Sequence, residues 1–335
     1  MHRARLAFAS MSQNNITILY AGIDIAKESL QFSLCGASEN LPNNSKGHAR
    51  ILKLLGAAEA AQPGAIVHVI LEATGGYEAA LCTTLHAAGK ILSLIQPLRA
   101  RHFARAKGEQ AKTDPIDADM LCDFGEAMRP APTPAPSAAQ THLRELVGRR
   151  AQLIETRTAE SNRAAHYTDN LLCRQSRALL ALLNKQVGQC DLAIAAQIAE
   201  DGQMKTRAGR VQQVVGIGPV VAAILQAEMP ELGTLNDGQA AALPGLAPYN
   251  RDSGPRQGTR SIRGGRASVR CALYMAALSA VRHDRILKGF YERLCAAGKK
   301  PMVAMTAAMR KLVVLLNRML KNPQFQLVTS ADNGR

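Results

Sequence analysis

Residues 129–137 read RPAPTPAPS, with prolines at alternate positions. Each proline locks its φ, lacks the N–H that a helix or sheet would use, and drives the preceding residue out of helical space. The pattern predicts a stiff polyproline II spacer rather than packed structure, and it is the best domain boundary in the chain. Each side is long enough for a core of its own, because the chain has 335 residues, 47% of them hydrophobic, more than one domain of ordinary size needs.

Before this boundary, Ile16 to Cys35 alternates in places around a polar AKES turn, which predicts a hairpin. Lys46 to Ala61 has helical apolar spacing. Ala65 to Glu72 (AIVHVILE) is rich in β-branched residues, Tyr77 to Gly89 reads as a helix ending at glycine, and Ile91 to Ile95 as another strand. Together these predict an α/β layer domain with a mixed sheet over residues 16–128. Arg99, Arg101, His102, Arg105, Lys107 and Lys112 read as a basic loop, before a helix beginning near Thr113 or Asp114. Residues 1–15 read as a flexible leader, within which Met11 offers an alternative start.

After the boundary the pattern is almost continuously helical over 138–208. Leu143, Leu146, Val147, Leu153 and Ile154 fall roughly on one stripe, which fits a helical hairpin or a dimerising coiled coil. Residues 209–325 read as glycine-punctuated helices around a Gly- and Arg-dense segment, with a final helical region to about residue 321 and a tail at 326–335.

Lys and Arg number 41 against 26 Asp and Glu, a formal charge of +15. Such a surface favours polyanionic partners, nucleic acid foremost. An anionic membrane is the rival, but no apolar run reaches the about 18 residues needed to span a bilayer. The seven cysteines are scattered, with no pair at CxxC spacing, so neither a disulfide framework nor a zinc site is indicated. The expectation is reduced thiols in a cytoplasmic protein.

The acidic residues carry the first chemical signal. Asp24 lies in GIDIAKE at the end of the first strand, and Glu72 ends the strand VILEATGGY. The carboxyl ends of strands are where an open α/β sheet builds its site. Asp114 and Asp117 in KTDPIDADML are three apart and share a face if helical. Four carboxylates suffice to hold two ions for phosphodiester cleavage, and oxygen-only ligands select Mg²⁺ or Mn²⁺. Taken singly each acid is ordinary: Asp114 before Pro115 also suits a helix N-cap, and Asp119 and Asp123 suit solvated surface charges.

In the second half, VQQVVGIGPVVAAILQAEM places Gly216 and Gly218 between two apolar helical stretches, the layout of a helix-hairpin-helix, whose second helix can present free N–H groups to a phosphate. Further on, APYNRDSGPRQGTRSIRGGRASVR sets Ser253 among Arg251, Arg256, Arg260, Arg263, Arg266 and Arg270. A serine hydroxyl attacks only when its proton is removed and the attacked phosphate is neutralised, and clustered arginines can do the second task. By itself the segment reads first as a flexible basic arm lying on a nucleic-acid backbone.

GIDIAKE, LEATGGY and KTDPIDADML, in this order and at these separations, resemble the DEDD catalytic domain of the IS110 family of insertion-sequence transposases. SGPRQGTRSIRGGRASVR matches the layout of that family's C-terminal transposase domain. The likeness spans roughly residues 18–320. It departs in the leader before Met11 and in LPGLAP, which replaces a more usual aromatic-containing segment before Tyr249.

The resemblance implies a ribonuclease H-like (RuvC-like) α/β N-terminal domain, a helical coiled-coil middle, and a mainly α C-terminal domain with a helix-hairpin-helix. It puts the four metal-binding acids on Asp24, Glu72, Asp114 and Asp117, and the nucleophile on Ser253, with Tyr249 as runner-up and Ser261 and Ser268 behind it. It also implies a covalent serine–DNA linkage, Mg²⁺ (Mn²⁺ possible), a structured bridge RNA that selects target and donor DNA, and a homo-oligomer, dimer or tetramer, whose site is completed between protomers. From Arg251 onward 17 basic residues stand against 4 acidic ones, more than one duplex contact needs.

Three other readings remain at this point. One is a metal-dependent junction resolvase that uses water and forms no serine adduct. Another is a small-molecule kinase of the actin-like superfold, although Ile25, Ala26 and Lys27 follow Asp24 where such proteins place glycine. The last is a nucleic-acid-binding protein without catalysis.

Overall fold

The computed structural model describes residues 17–108, 114–249 and 260–327, with the side chains of Asp114 and Pro115 left aside. The chain divides into two compact units, Met1–Ala135 and Pro136–Arg335.

The first unit is built on five strands: β1 (Ile18–Ile25), β2 (Ser29–Leu34), β3 (Ala37–Pro42), β4 (Ile66–Glu72) and β5 (Ile91–Ile95), in spatial order β3-β2-β1-β4-β5. β1, β2 and β3 form an antiparallel meander, while β4 and β5 run parallel to β1. The parallel pairs require crossovers, supplied by α1 (Ser45–Ala61) and α2 (Ala79–Ala87). Sheet order and strand sense are consistent with a ribonuclease H-like domain. β3 (ASENLP) was not expected from its polar composition, and it exists because each of its residues pairs across to β2.

Alternation along the strands separates two faces. Ala21, Ile23, Ile25, Val67, Val69 and Leu71 bury against Ile51 and Leu55 of α1 and Leu81 and Leu85 of α2. Tyr20 and Ile70 face the other way, into a smaller core with Ala100, Met120, Leu121 and Phe124. These come from α3 (Pro97–Lys107) and α4 (Asp114–Met128).

The expected basic loop is a helix from Pro97 to Lys107, while Lys112 lies outside the described residues. α3 has Pro at its start and Gly108 at φ +84° at its end, a favourable pair of terminators. It buries Ala100 and turns Arg101, His102 and Arg105 outward. The 129–137 segment is irregular, as the prolines require, but it is not a free spacer. Thr133 donates its N–H to the Leu92 carbonyl (2.8 Å) and accepts the Leu94 N–H on its hydroxyl (2.9 Å), so the segment covers the outer edge of β5. His68 Nε2 meets Ser93 Oγ at 2.8 Å, and that hydroxyl donates to the Ala131 carbonyl at 2.8 Å.

The second unit is helical. α5 (Ala138–Ala164) and α6 (Asn170–Glu200) pack antiparallel, with Leu153 against Leu183 and Val187, and Arg150 paired to Asp191. The expected helical hairpin forms within the chain. Ser137 and Asp169 cap the two helices, their side chains accepting first-turn N–H groups. Beyond them lie α7 (Gly202–Val211), α8 (Pro219–Glu228), α9 (Asp237–Ala242), α10 (Ala267–His283), α11 (Arg285–Ala296) and α12 (Pro301–Lys321). α8, α10 and α12 surround a core that includes Leu225, Met229, Leu273, Ala277, Leu312 and Leu316. Among the described residues, no helix is long and apolar enough to cross a membrane.

Candidate nucleic-acid-processing site

The acids of the first unit are placed by the register of β1 against β4 and by the seat of α4. Ile23 pairs with Leu71, so the next residues along this parallel ladder, Asp24 and Glu72, are neighbours at the strand ends. By alternation Asp24 shares the face of Tyr20 and Gly22, and Glu72 shares the face of Ile70, the face that α4 covers.

Two glycines set how α4 lies. A Cβ on Gly22 would stand 2.0 Å from the Ala118 carbonyl oxygen, and one on Gly125 would stand 2.4 Å from Tyr20 Cδ1. α4 thus runs antiparallel to β1, with Gly125 over Tyr20 and Ala118 over Gly22. On this antiparallel track the first turn of α4, which begins at Asp114 and contains Asp117, lies toward the end of β1 that carries Asp24.

Asp24, Glu72 and Asp117 are half-buried, and none lacks a protein partner. Among the described residues no three His, Cys, Asp or Glu side chains draw together closely enough to hold an ion, and the Asp114 side chain lies outside the description. The donor set is carboxylate, the chemistry that hard divalent ions require. Asp119 and Asp123 lie at the surface as expected, where Ser33 donates to Asp119 and Lys107 pairs with Asp123.

The loops that carry the acids are themselves tied down. After Glu72, Gly75 and Gly76 adopt φ of +72° and +110°, which only glycine takes readily. Glu78 Oε2 accepts the Thr74 N–H at 3.1 Å and the Gly76 N–H at 2.9 Å. Asn43 donates to the carbonyls of Ala26 and Tyr77. Neither residue was singled out from the sequence, where an Asn after a proline and a Glu near a helix start look ordinary.

In the second unit, Ser253, Arg251 and Arg256 lie outside the described residues. The two flanks of that segment do not: Tyr249 and Ser261 form an antiparallel bridge, with the Tyr249 N–H donating to the Ser261 carbonyl at 2.9 Å. Arg263 lies over the Tyr249 ring, 4.5 Å from its centre. Arg260 is exposed, while Ser268 sits in the first turn of α10.

Arg266 and Arg270 are corrections to the picture of arginines gathered around one phosphate. Arg266 forks onto Glu231 (2.6 and 2.8 Å) and reaches the Glu228 carbonyl (2.8 Å). Burial by itself raises the Glu231 pKa, but the Arg266 hydrogen bonds and charge outweigh it and hold the carboxyl below its ordinary value. Arg270 donates to the carbonyls of Pro244 and Gly264. These two side chains hold the loop in shape.

Gly216, at φ +92°, presses against the backbone of α10, where a Cβ would meet the Ala276 oxygen at 2.3 Å. Its role is close packing. Gly218 starts α8 and has open space around it.

Acids side by side near the ends of β1 and β4, in a chain with a formal charge of +15, are the features expected of an enzyme that acts on nucleic acid. A family model described as "Transposase", of the DEDD IS110 kind, matches residues 21–171, and one described as "Transposase IS116/IS110/IS902 family" matches residues 208–292. The chain belongs to this transposase family and is a DNA recombinase. It is 27% identical over 321 residues to a pilin gene-inverting protein of Moraxella lacunata, covering 88% of this chain and 94% of that one. A pilin gene-inverting protein of Moraxella bovis is likewise 27% identical over 314 residues, with the same coverage. The family carries a dependence on divalent metal.

Proposed function

We propose that this recombinase cuts and rejoins DNA with Ser253 as nucleophile, assisted by Asp24, Glu72, Asp114 and Asp117. The observation that carries the reading is the register: Asp24, one residue before the end of β1, lies beside Glu72, the last residue of β4, on the face that α4 covers. Ser253 Oγ attacks a backbone phosphorus, forming a serine–phosphate ester and releasing the sugar hydroxyl, which later reverses the step. The four acids would hold Mg²⁺ or Mn²⁺, which when bound supplies Lewis-acid stabilisation of charge on the phosphate.

Arg251, Arg256, Arg260 and Arg263 contact the nucleic-acid backbone. Gly218 and the start of α8 serve as the helix-hairpin-helix phosphate contact. The protein works as a dimer or tetramer, with a structured guide RNA choosing the DNA partners. Because the two relatives are named for gene inversion, recombination is best assayed on inverted as well as separate sites.

Ser253→Ala tests the chemistry. Loss of the covalent protein–DNA adduct and of strand exchange, with DNA binding retained, is the expected result. Strand exchange that survives the substitution would overturn the serine mechanism in favour of water-driven hydrolysis. RNA is tested by sequencing the nucleic acid that co-purifies: a discrete structured species is expected, and recombination by RNA-free protein would remove the guide.

A further inference from the structure

We propose that Asn43 is a positioning residue for the acidic site, clamping together the loop that follows Asp24 and the loop that follows Glu72, with His48 holding the clamp in orientation. Asn43 comes directly after β3. Its Nδ2 donates to the Ala26 carbonyl at 3.0 Å and to the Tyr77 carbonyl at 3.2 Å. Ala26 is two residues past Asp24, and Tyr77 five past Glu72. The Asn43 backbone N–H donates to the Glu28 carbonyl at 2.9 Å, so the side chain is anchored on the same β1–β2 turn that it grips.

An amide carries two N–H donors and one acceptor oxygen. Here both donors are used on carbonyls, and Oδ1 lies 3.0 Å from His48 Nε2. Flipping the amide would set its oxygen against two carbonyl oxygens, so the network assigns the amide orientation and requires the proton on His48 Nε2. His48 is buried at 5% exposure, on the same side of α1 as Ile51 and Leu55, which pack on the sheet. The far loop is rigid in turn, because Glu78 takes the N–H groups of Thr74 and Gly76. A chain of hydrogen bonds therefore runs from α1 through one amide to the loops that follow β1 and β4. The ladder of β1 and β4 already sets the two acids side by side; the clamp fixes the loops that border them, and the affinity for a divalent ion depends on such surrounding hydrogen bonds.

The inference rests on the reading of those acids as ion ligands, and the experiment separates the two. Mn²⁺ binding to the full chain is measured by calorimetry for the wild type, Asn43→Ala, Asn43→Ser, His48→Gln, His48→Leu and Asp24→Asn, beside thermal melts and DNA affinity. Asn43→Ala is expected to weaken Mn²⁺ binding about tenfold with DNA affinity unchanged, and strand exchange is expected to recover at high Mn²⁺. His48→Gln, which can still donate to Oδ1, should stay within about twofold of wild type, whereas His48→Leu should move toward Asn43→Ala.

Wild-type Mn²⁺ affinity in a cooperatively folded Asn43→Ala overturns the clamp; if that variant fails to fold, Asn43→Ser and His48→Leu decide by the same reading. Undiminished Mn²⁺ binding by Asp24→Asn overturns the ligand reading instead.

Discussion

Gly22 in β1 lies directly beneath Ala118 in α4, so close that a methyl group on Gly22 would stand 2.0 Å from the Ala118 carbonyl oxygen. The atom in the way is backbone and cannot rotate aside, so α4 would have to lift. Gly22→Ala is expected to destabilise the first unit by roughly 3 kcal/mol, at the upper end of overpacking costs. Denaturant unfolding measures this, and strand exchange should fall with it because the turn bearing Asp117 moves. A Gly22→Ala protein as stable as wild type would show that α4 does not seat as described.

Tyr249 supports Arg263 through its ring and pairs with Ser261 through its backbone. Neither contact uses the phenolic hydroxyl. Tyr249→Phe should therefore recombine DNA as well as wild type, and Tyr249→Ala should lose about 1 kcal/mol of anchoring, roughly fivefold in rate. An inactive Tyr249→Phe would point to a tyrosine nucleophile and away from Ser253.

Burial lowers the pKa of His48 and of His68. Their folded values lie below an unfolded value of about 6.5, so on acidification the unfolded chain takes up protons first. Their contribution is complete above about pH 6.5 and is lost as pH falls below it toward the folded values. Unfolding midpoints at pH 7.5 and 5.5 should differ, and His68→Gln, whose amide can still donate to Ser93, should reduce the difference. A midpoint equally pH-sensitive in that variant would remove His68 from the account.

Cys122 receives the Gly22 N–H at 3.0 Å and donates to the Ser33 carbonyl at 3.3 Å. Burial pushes its pKa up to about 11, as it does for Cys82. Its thiolate fraction at pH 8 is then about a hundredfold below that of an ordinary thiol. Iodoacetamide should modify the exposed Cys35 and Cys271 first, as read by peptide mass mapping. Equal labelling of Cys122 would mean that α4 leaves the sheet under native conditions.

Much of the first unit was legible along the chain. β1, β2, β4, β5, α1, α2 and α4 announce themselves through alternation or helical spacing, and Asp24 and Glu72 stand out as charges at the ends of apolar strands. β3 and α3 were hidden because their identity is not local: ASENLP becomes a strand by pairing with β2, and the arginine-rich α3 is helical around one thin apolar side, Ala100, Phe103 and Ala104. Arg266 and Arg270 looked like the other arginines, and only their carboxylate and carbonyl partners mark them as structural.

The periodicity of four of the five strands, the break at the prolines, the basic surplus and the types of the candidate groups were determined by sequence alone, since propensity, periodicity and charge act over a few neighbouring residues. Which acids share a face, which glycines admit α4, what covers the β5 edge, and which arginines and which asparagine hold loops in place were decided by tertiary structure. Those are contacts between residues far apart in the chain, such as Gly22 and Ala118 or Asn43 and Tyr77, and no local preference encodes them.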